Sequence, residues 1–287
     1  MSTDGLVSMF ETPKPFRLLS ASHIVNTILP STDWLVETII AIPEGVLFFG
    51  EFGSLKSWIL LHLGLHLAVG RKWLDTFTVP KPRSVLYIDE EMGERLLRSR
   101  VRRIVEGEKI PTDDLPFMAL SGEGVRMTEK GGHILLERLR LSNFKPNVII
   151  LESLRRVLVG SENEQEDVSG FWRAVEPIKR SGSTLIVSHH MRKPHSEGPD
   201  PVRYRASGST DLVAGSDAAW AATRLAPNVT QLDAARLREW PEHKFSIEFT
   251  WGEKEGPVTA RLGPGDASQG GRAVTIILAI LENGPAA

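Results

Sequence analysis

The stretch Gly45-Val-Leu-Phe-Phe-Gly50-Glu-Phe-Gly53-Ser-Leu55-Lys56-Ser57, followed by the apolar run Trp58 to Val69 and then Gly70, constrains the fold more than any other part of the chain. The apolar segment Val46 to Phe49 has strand length and stops at Gly50. Small residues follow, and Lys56-Ser57 opens an apolar segment of helical length. A strand, a loop and a helix in that order make a phosphate loop. Backbone N–H groups around Gly53 and Ser54 face an anion, and the helix N-terminus adds unpaired donors and the positive end of its dipole. Lys56 would reach the β- and γ-phosphates and the Ser57 hydroxyl would ligate Mg²⁺, with Gly50, Leu55 and Trp58 completing the nucleotide-binding stretch. The usual pattern is G-x-x-x-x-G-K-[ST], and here Leu55 stands where the second glycine belongs.

A chain of 287 residues with 41% hydrophobic and 24% charged residues can bury a substantial core. Its net charge of −2 excludes a uniformly basic nucleic-acid coat, so any such contact must come from local clusters. The absence of cysteine removes disulfides and thiolate metal sites and is compatible with a reducing cytoplasm. Met1 to Glu11 lacks the basic and apolar regions of a signal peptide, and Trp58 to Val69 is short for a membrane span and contains His62 and His66. A soluble, cytoplasmic protein with no membrane partner is expected.

Three further segments repeat the theme of an apolar strand ending in polar groups. Ser84-Val-Leu-Tyr-Ile-Asp89 leads into Glu90 and Glu91, at the carboxyl end of a strand, where parallel sheets bind ligands. One of these acids can activate an attacking water, and the bland alternative is a solvated acidic turn capping the next helix. Pro146-Asn-Val-Ile-Ile-Leu151-Glu152 reads as a Walker B strand whose carboxylate holds Mg²⁺, with Glu where Asp is usual. Ser183-Thr-Leu-Ile-Val-Ser188-His189-His190 places His190 where it can sense a γ-phosphate, a structural histidine being the alternative. The loop after it, Met191 to Arg205, offers Arg192, Lys193, Arg203 and Arg205 as contacts to a nucleic-acid backbone, or is a disordered surface loop.

Elsewhere the pattern is scaffold. Arg95, Arg98, Arg100, Arg102 and Arg103 surround the apolar face Leu97, Val101 and Ile104 of a helix, which reads as a solvated surface. Residues 131–141 form an amphipathic helix. Val168 to Ile178 form another, which Pro177 kinks or shortens. Asp217 to Arg224, Thr230 to Arg238 and Lys244 to Trp251 read as sheet-edge strands, the last with Phe245, Ile247 and Phe249 on one buried face. Residues 1–33 read as an N-terminal arm, 34–262 as the core, and 263–287 as a linker with a C-terminal helix.

With these motifs in place the chain resembles the RecA-like ATPases of the hexameric helicase group. It is most similar to plasmid RepA-type replicative helicases and related phage and prophage AAA-type ATPases. The likeness rests on Gly50 to Ser57, Tyr87-Ile-Asp-Glu-Glu91, Ile150-Leu-Glu-Ser-Leu-Arg-Arg156, Val187-Ser-His-His-Met-Arg-Lys193 and Arg205-Ala-Ser-Gly-Ser209. It implies an α/β, RecA-like P-loop NTPase core, a mostly parallel central sheet flanked by helices and antiparallel edge strands. It also implies ATP and Mg²⁺ as cofactors, Glu91 as catalytic glutamate with Glu90 as the register alternative, Glu152 as the Walker B acid and His190 as sensor. In such rings a neighbouring subunit completes the site with basic residues, and Arg224 or the pair Arg236 and Arg238 would fill that role. The function implied is that of a ring-forming homo-oligomer, a hexameric helicase moving on single-stranded DNA. The alternative is a nucleotide-gated DNA-binding or assembly ATPase that does not unwind.

Overall fold

The computed structural model describes residues 16–28, 31–192, 201–237 and 243–263. Contacts divide the chain into two compact units, residues 1–32 and 33–287. In the first, helix α1 (Ala21–Asn26) is opened by Ser20, whose side chain accepts the His23 N–H at 3.1 Å. The linker and C-terminal helix expected after residue 263, and the arm before residue 16, lie outside the described residues.

The second unit opens on a hairpin, β1 (Asp33–Val36) paired with β2 (Ile40–Ile42). Asp33, placed in the arm by the sequence, opens this hairpin and holds Arg83 at 2.5 Å. The main sheet begins with β3 (Gly45–Gly50), followed by α2 (Lys56–Val69), β4 (Val85–Asp89), α3 (Glu94–Glu108) and β5 (Phe117–Ser121). The chain continues through α4 (Gly131–Leu141), β6 (Val148–Glu152), the short α5 (Leu154–Val157), α6 (Gln165–Arg180) and β7 (Thr184–His190). A 3₁₀ turn (Val202–Tyr204) and α7 (Asp211–Gly215) precede β8 (Ala218–Ala226), β9 (Val229–Leu237), β10 (Lys244–Trp251) and β11 (Val258–Leu262).

The sheet order is β11-β10-β9-β8-β3-β7-β6-β4-β5. From β8 to β5 neighbouring strands are parallel, and from β8 to β11 they are antiparallel. The unbroken apolar runs of β3, β6 and β7 belong where both faces are covered. Val46 and Phe48 join the core on one face with α2 and α3, while Leu47 and Phe49 join the core on the other with α6. Fully burying each such side chain contributes about 1.5–3 kcal/mol. The expected antiparallel flank is present as β8 to β11; within it β8, β9 and β10 each have a partner on both sides, and β11 and β5 form the edges of the sheet. Helix α6 runs through Pro177 to Arg180, so it is not shortened there. Among the described residues no helix is long and apolar enough to cross a membrane.

Register brings the polar strand ends together. Gly50 pairs with His190 across β3 and β7, and Asp89 pairs with Glu152 across β4 and β6. All four therefore stand at one carboxyl edge of the sheet.

On the α2 side of the core, buried polar groups form a joint. His62 and His66 of α2 face Glu108 at the end of α3. Burial, and then the facing His62 ring, hold His66 down to about 4. Burial pushes Glu108 up, but hydrogen bonds from His62, Arg261 and the Ala260 N–H outweigh it and hold the carboxyl at about 2. The unfolded chain takes up these protons at ordinary values of 6.5 and 4.5, before the folded chain does. Acid therefore destabilises the fold, through His66 between pH 6.5 and about 4 and through Glu108 between 4.5 and about 2. At about 1.4 kcal/mol per unit, His66 alone removes about 3 kcal/mol. Urea unfolding in EDTA-containing buffer should show a midpoint falling from neutral pH towards about pH 4, and a smaller fall in His66→Leu. Equal slopes in the two proteins would contradict this assignment.

Candidate nucleotide-binding site

The loop after β3 is built on backbone demands. A Cβ on Gly50 would lie 2.4 Å from the Ala222 carbonyl oxygen, so the close approach of β8 requires glycine. Leu55, in the place of the usual second glycine, sits at φ 61°, ψ 19°. This left-handed conformation costs a non-glycine residue about 1–2 kcal/mol. The Leu55 side chain offsets part of that by packing on the core. The neighbouring β8–β9 hairpin straps the loop down. The Glu51 N–H donates to Ala222 O at 3.3 Å, Thr230 Oγ1 to Ser54 O at 3.1 Å, and the Arg224 guanidinium to Gly53 O. Ser54 is fully buried and donates to Glu51 O at 2.8 Å. Lys56 Nζ lies over the loop, donating to Gly50 O at 2.9 Å and Glu51 O at 2.8 Å. Burial lowers its pKa, opposed by Glu152, Glu91 and Glu51.

Beside Lys56, the Ser57 hydroxyl donates to Glu152 Oε1, and the Tyr87 hydroxyl donates to Glu152 Oε2. Glu152 is buried; desolvation raises its pKa against the lowering effect of the two hydroxyls, and nearby Glu91 adds to the rise. Ser57 and Glu152 thus present two oxygens at one point, the donor type that Mg²⁺ takes. The first-turn N–H groups of α2 have no intrahelical acceptor and face the loop. These residues fit a magnesium nucleotide.

The three acids at the end of β4 separate cleanly. Asp89 is fully buried and accepts the N–H groups of Glu91, Met92 and Gly93 at 3.1, 2.8 and 2.9 Å, and the Ser121 hydroxyl at 3.0 Å. Glu90 accepts the Gly124 and Val125 N–H groups at 3.1 and 3.0 Å. Glu91 is the member of the three that lines the cleft with Lys56, Ser57 and Glu152. Its Oε1 lies 4.0 Å from His190 Nε2. His189 is buried, and its Nε2 meets the Ser207 carbonyl at 2.9 Å. A carbonyl only accepts, so Nε2 carries the proton, and burial lowers the ring's pKa.

The basic residues are distributed differently from expectation. Arg224, expected to reach across to a neighbouring subunit, instead bonds the phosphate loop of its own chain and the Ala226 and Pro227 carbonyls. Arg236 donates to the Val213 and Ala214 carbonyls at the end of α7, at 3.3 and 2.9 Å. The Arg192 N–H donates to Arg205 O at 2.9 Å, and Met191 bridges Ala206, so the two ends of the basic segment are tied together. Met191 N–H also donates to Gly50 O at 2.9 Å, which fastens the segment to the phosphate loop. Arg203 lies in the 3₁₀ turn, and Lys193 and Arg238 lie outside the described residues.

Arg100 was expected at a solvated surface and is instead at the cleft, its guanidinium over the Trp58 ring at 5.1 Å. Burial lowers its pKa against the pull of Glu152, Tyr87 and Asp89. Its sequence signal was position: Leu97, Arg100, Val101 and Ile104 share one helical face. Trp58 packs edge-on against Trp251 at 5.0 Å. Tyr87, His189 and Thr230 had no separate signal.

A parallel sheet with a phosphate loop, a lysine-serine helix start and a buried acid on the second strand over defines a P-loop nucleotide-binding protein with a RecA-like core. Residues 12–196 match the AAA domain family, and the chain belongs to it. It is thereby a P-loop ATPase by family. No curated protein matches the chain in sequence. Among solved structures it is similar to the RadB recombinase, at 17% identity and a TM-score of 0.51, covering 76% of this chain and 90% of that one. At that identity the likeness is one of fold.

Proposed function

We propose that the protein is a Mg-ATP-hydrolysing, ring-forming motor that acts on single-stranded DNA, in the manner of a replicative helicase of a plasmid, phage or prophage. The observation that carries this reading is the double attachment of the basic segment. Its first residue, Met191, bonds Gly50 of the phosphate loop, and it follows directly on His190, 4.0 Å from Glu91. A change at the γ-phosphate position would thereby be felt at Arg192 and Arg205. The RadB recombinase shares this fold, which is in keeping with a DNA-associated role.

In this reading Lys56 and the α2 N-terminus hold the phosphates, and Ser57 and Glu152 hold the metal. When bound, Mg²⁺ offsets charge on the phosphate oxygens. Glu91 accepts a proton from the attacking water, and His190 bonds the γ-phosphate. Tyr87 keeps the Glu152 carboxylate turned towards Ser57. Arg224 holds the loop in place within its own chain, so in this reading the basic residues from a neighbouring subunit are the pair Arg236 and Arg238. The second reading is a nucleotide-gated assembly ATPase on DNA without unwinding. The left-handed Leu55 favours it, because a strained loop suits slow turnover.

The test is steady-state ATP hydrolysis with and without single-stranded DNA, with Lys56→Ala as control. Stimulation by DNA, absent from Lys56→Ala, is expected for the motor. Oligomerisation with ATP and negligible turnover would give the second reading, and unchanged nucleotide binding in Lys56→Ala would overturn both.

A further inference from the structure

The joint between α2 and α3 carries chemistry that nucleotide hydrolysis does not use. His62 and His66 stand one turn apart on α2, their rings stacked with centroids 4.2 Å apart. Glu108 reaches them from the last turn of α3, and one ligand atom from each of the three residues lies within 4.8 Å of the others. His66 Nδ1 meets the Lys72 carbonyl at 2.9 Å, so it carries the ring proton and leaves Nε2 as a bare lone pair. That Nε2 is buried without a hydrogen-bond partner. It faces Glu108 Oε2 at 3.9 Å, an acceptor facing an acceptor. Glu108 Oε1 is already occupied by His62, the Ala260 N–H and Arg261, whereas Oε2 takes Arg261 alone among the bonds described. A lone pair and a carboxylate oxygen turned towards each other in a dry core call for a cation between them.

We propose that His62, His66 and Glu108 bind a late first-row divalent metal ion, zinc serving as the test ion, that fastens α2 to α3. Two imidazoles and one carboxylate suit zinc, nickel or cobalt and not magnesium, so the site is chemically distinct from the nucleotide's metal. Tetrahedral ligands about 2.0–2.1 Å from zinc lie about 3.3 Å apart. His62 Nε2 stands 3.1 Å from Glu108 Oε1 and His66 Nε2 3.9 Å from Glu108 Oε2, and the three ligand atoms lie within 4.8 Å of one another, so an ion has only to draw the side chains slightly together. The His66 bond to Lys72 O is the outer hydrogen bond that fixes tautomer and ring orientation in metal-binding histidines. His62 now donates from Nε2 and must move its ring proton to Nδ1 on binding, with no net proton released. Charge also favours a cation. Arg261 is shared between Glu108 and Asp75, with its Nε 2.7 Å from Asp75 Oδ2, so one guanidinium serves two carboxylates. The consequence reaches the cleft, because α2 begins with Lys56 and Ser57 and α3 carries Arg100.

The full chain, stripped with a strong chelator and desalted, should be titrated with Zn²⁺ in excess Mg²⁺. The expected result is about one zinc retained per chain by elemental analysis, with a melting temperature raised by several degrees. Cobalt should give visible absorption of a nitrogen-and-oxygen site. His66→Gln should weaken retention at least tenfold, and His133→Gln, on the exposed face of α4, should not. Wild-type protein that retains no zinc and melts unchanged overturns the proposal, whether or not the variants fold. So does retention that is equal in His66→Gln.

Discussion

Glu91→Gln is expected to lower ATP turnover by about 10²–10⁴-fold while leaving nucleotide affinity within a few-fold of wild type. The amide keeps the shape of the side chain and loses only the capacity to take a proton. Glu91 has that capacity available because its neighbours do not. Asp89 is consumed by three backbone N–H groups and a hydroxyl, and Glu90 by two N–H groups. Glu91 faces the cleft, with His190 Nε2 at 4.0 Å. Lys56, Ser57 and the helix N-terminus are untouched by the substitution, so binding should survive. Phosphate release measured beside binding of a fluorescent nucleotide separates the two effects. Glu90→Gln serves as the contrast. It should retain most turnover, and a collapse there with normal turnover in Glu91→Gln would move the base to Glu90.

Much of this site was legible before any coordinates, and the reason lies in the parallel sheet. Apolar strands buried on both faces announce themselves as unbroken runs, and each ends at the same edge, so Gly50, Glu152 and His190 could be placed together from their strands alone. The loop itself carried its signature in Gly53, Lys56 and Ser57. What the sequence could not supply were contacts made across long separations. Tyr87 meets Glu152 from another strand, and Thr230 and Arg224 reach the phosphate loop from more than 170 residues away. Arg224 is another such contact: it lies inside β8, and its guanidinium folds back on the Ala226 and Pro227 carbonyls as well as on the loop. The strands β5 and β11 were missed although Phe117 to Leu120 is an apolar run and Val258-Thr-Ala-Arg-Leu262 alternates, because edge segments this short stand out little from the loops around them. Arg100 was read by its type when its helical position carried the information.

The choice among Asp89, Glu90 and Glu91 shows the same limit at closer range, and it leads to the second large expected effect. Past the end of β4, strand alternation no longer says which way a side chain points; hydrogen bonds do. Asp89 supplies them, gathering the N–H groups of Glu91, Met92 and Gly93 while Ser121 closes its other side. Asp89→Asn replaces one acceptor oxygen with an amide that can only donate. With the amide turned towards Ser121, whose hydroxyl can rotate to accept, the Gly93 N–H still faces another donor in a fully buried place, at about 1–3 kcal/mol. Asp89→Ala leaves all four without a partner and should destabilise by at least as much, whereas Ser121→Ala removes a single donor and should cost about 1 kcal/mol. Urea midpoints should therefore rank wild type above Ser121→Ala, and Ser121→Ala above both Asp89 variants. Turnover should fall in Asp89→Asn although Glu91 is intact, because the backbone that aims Glu91 has lost its anchor, and the fall should appear in kcat more than in KM. If Asp89→Asn unfolds and turns over like wild type, then Glu91 is held by something other than the carboxylate two residues before it.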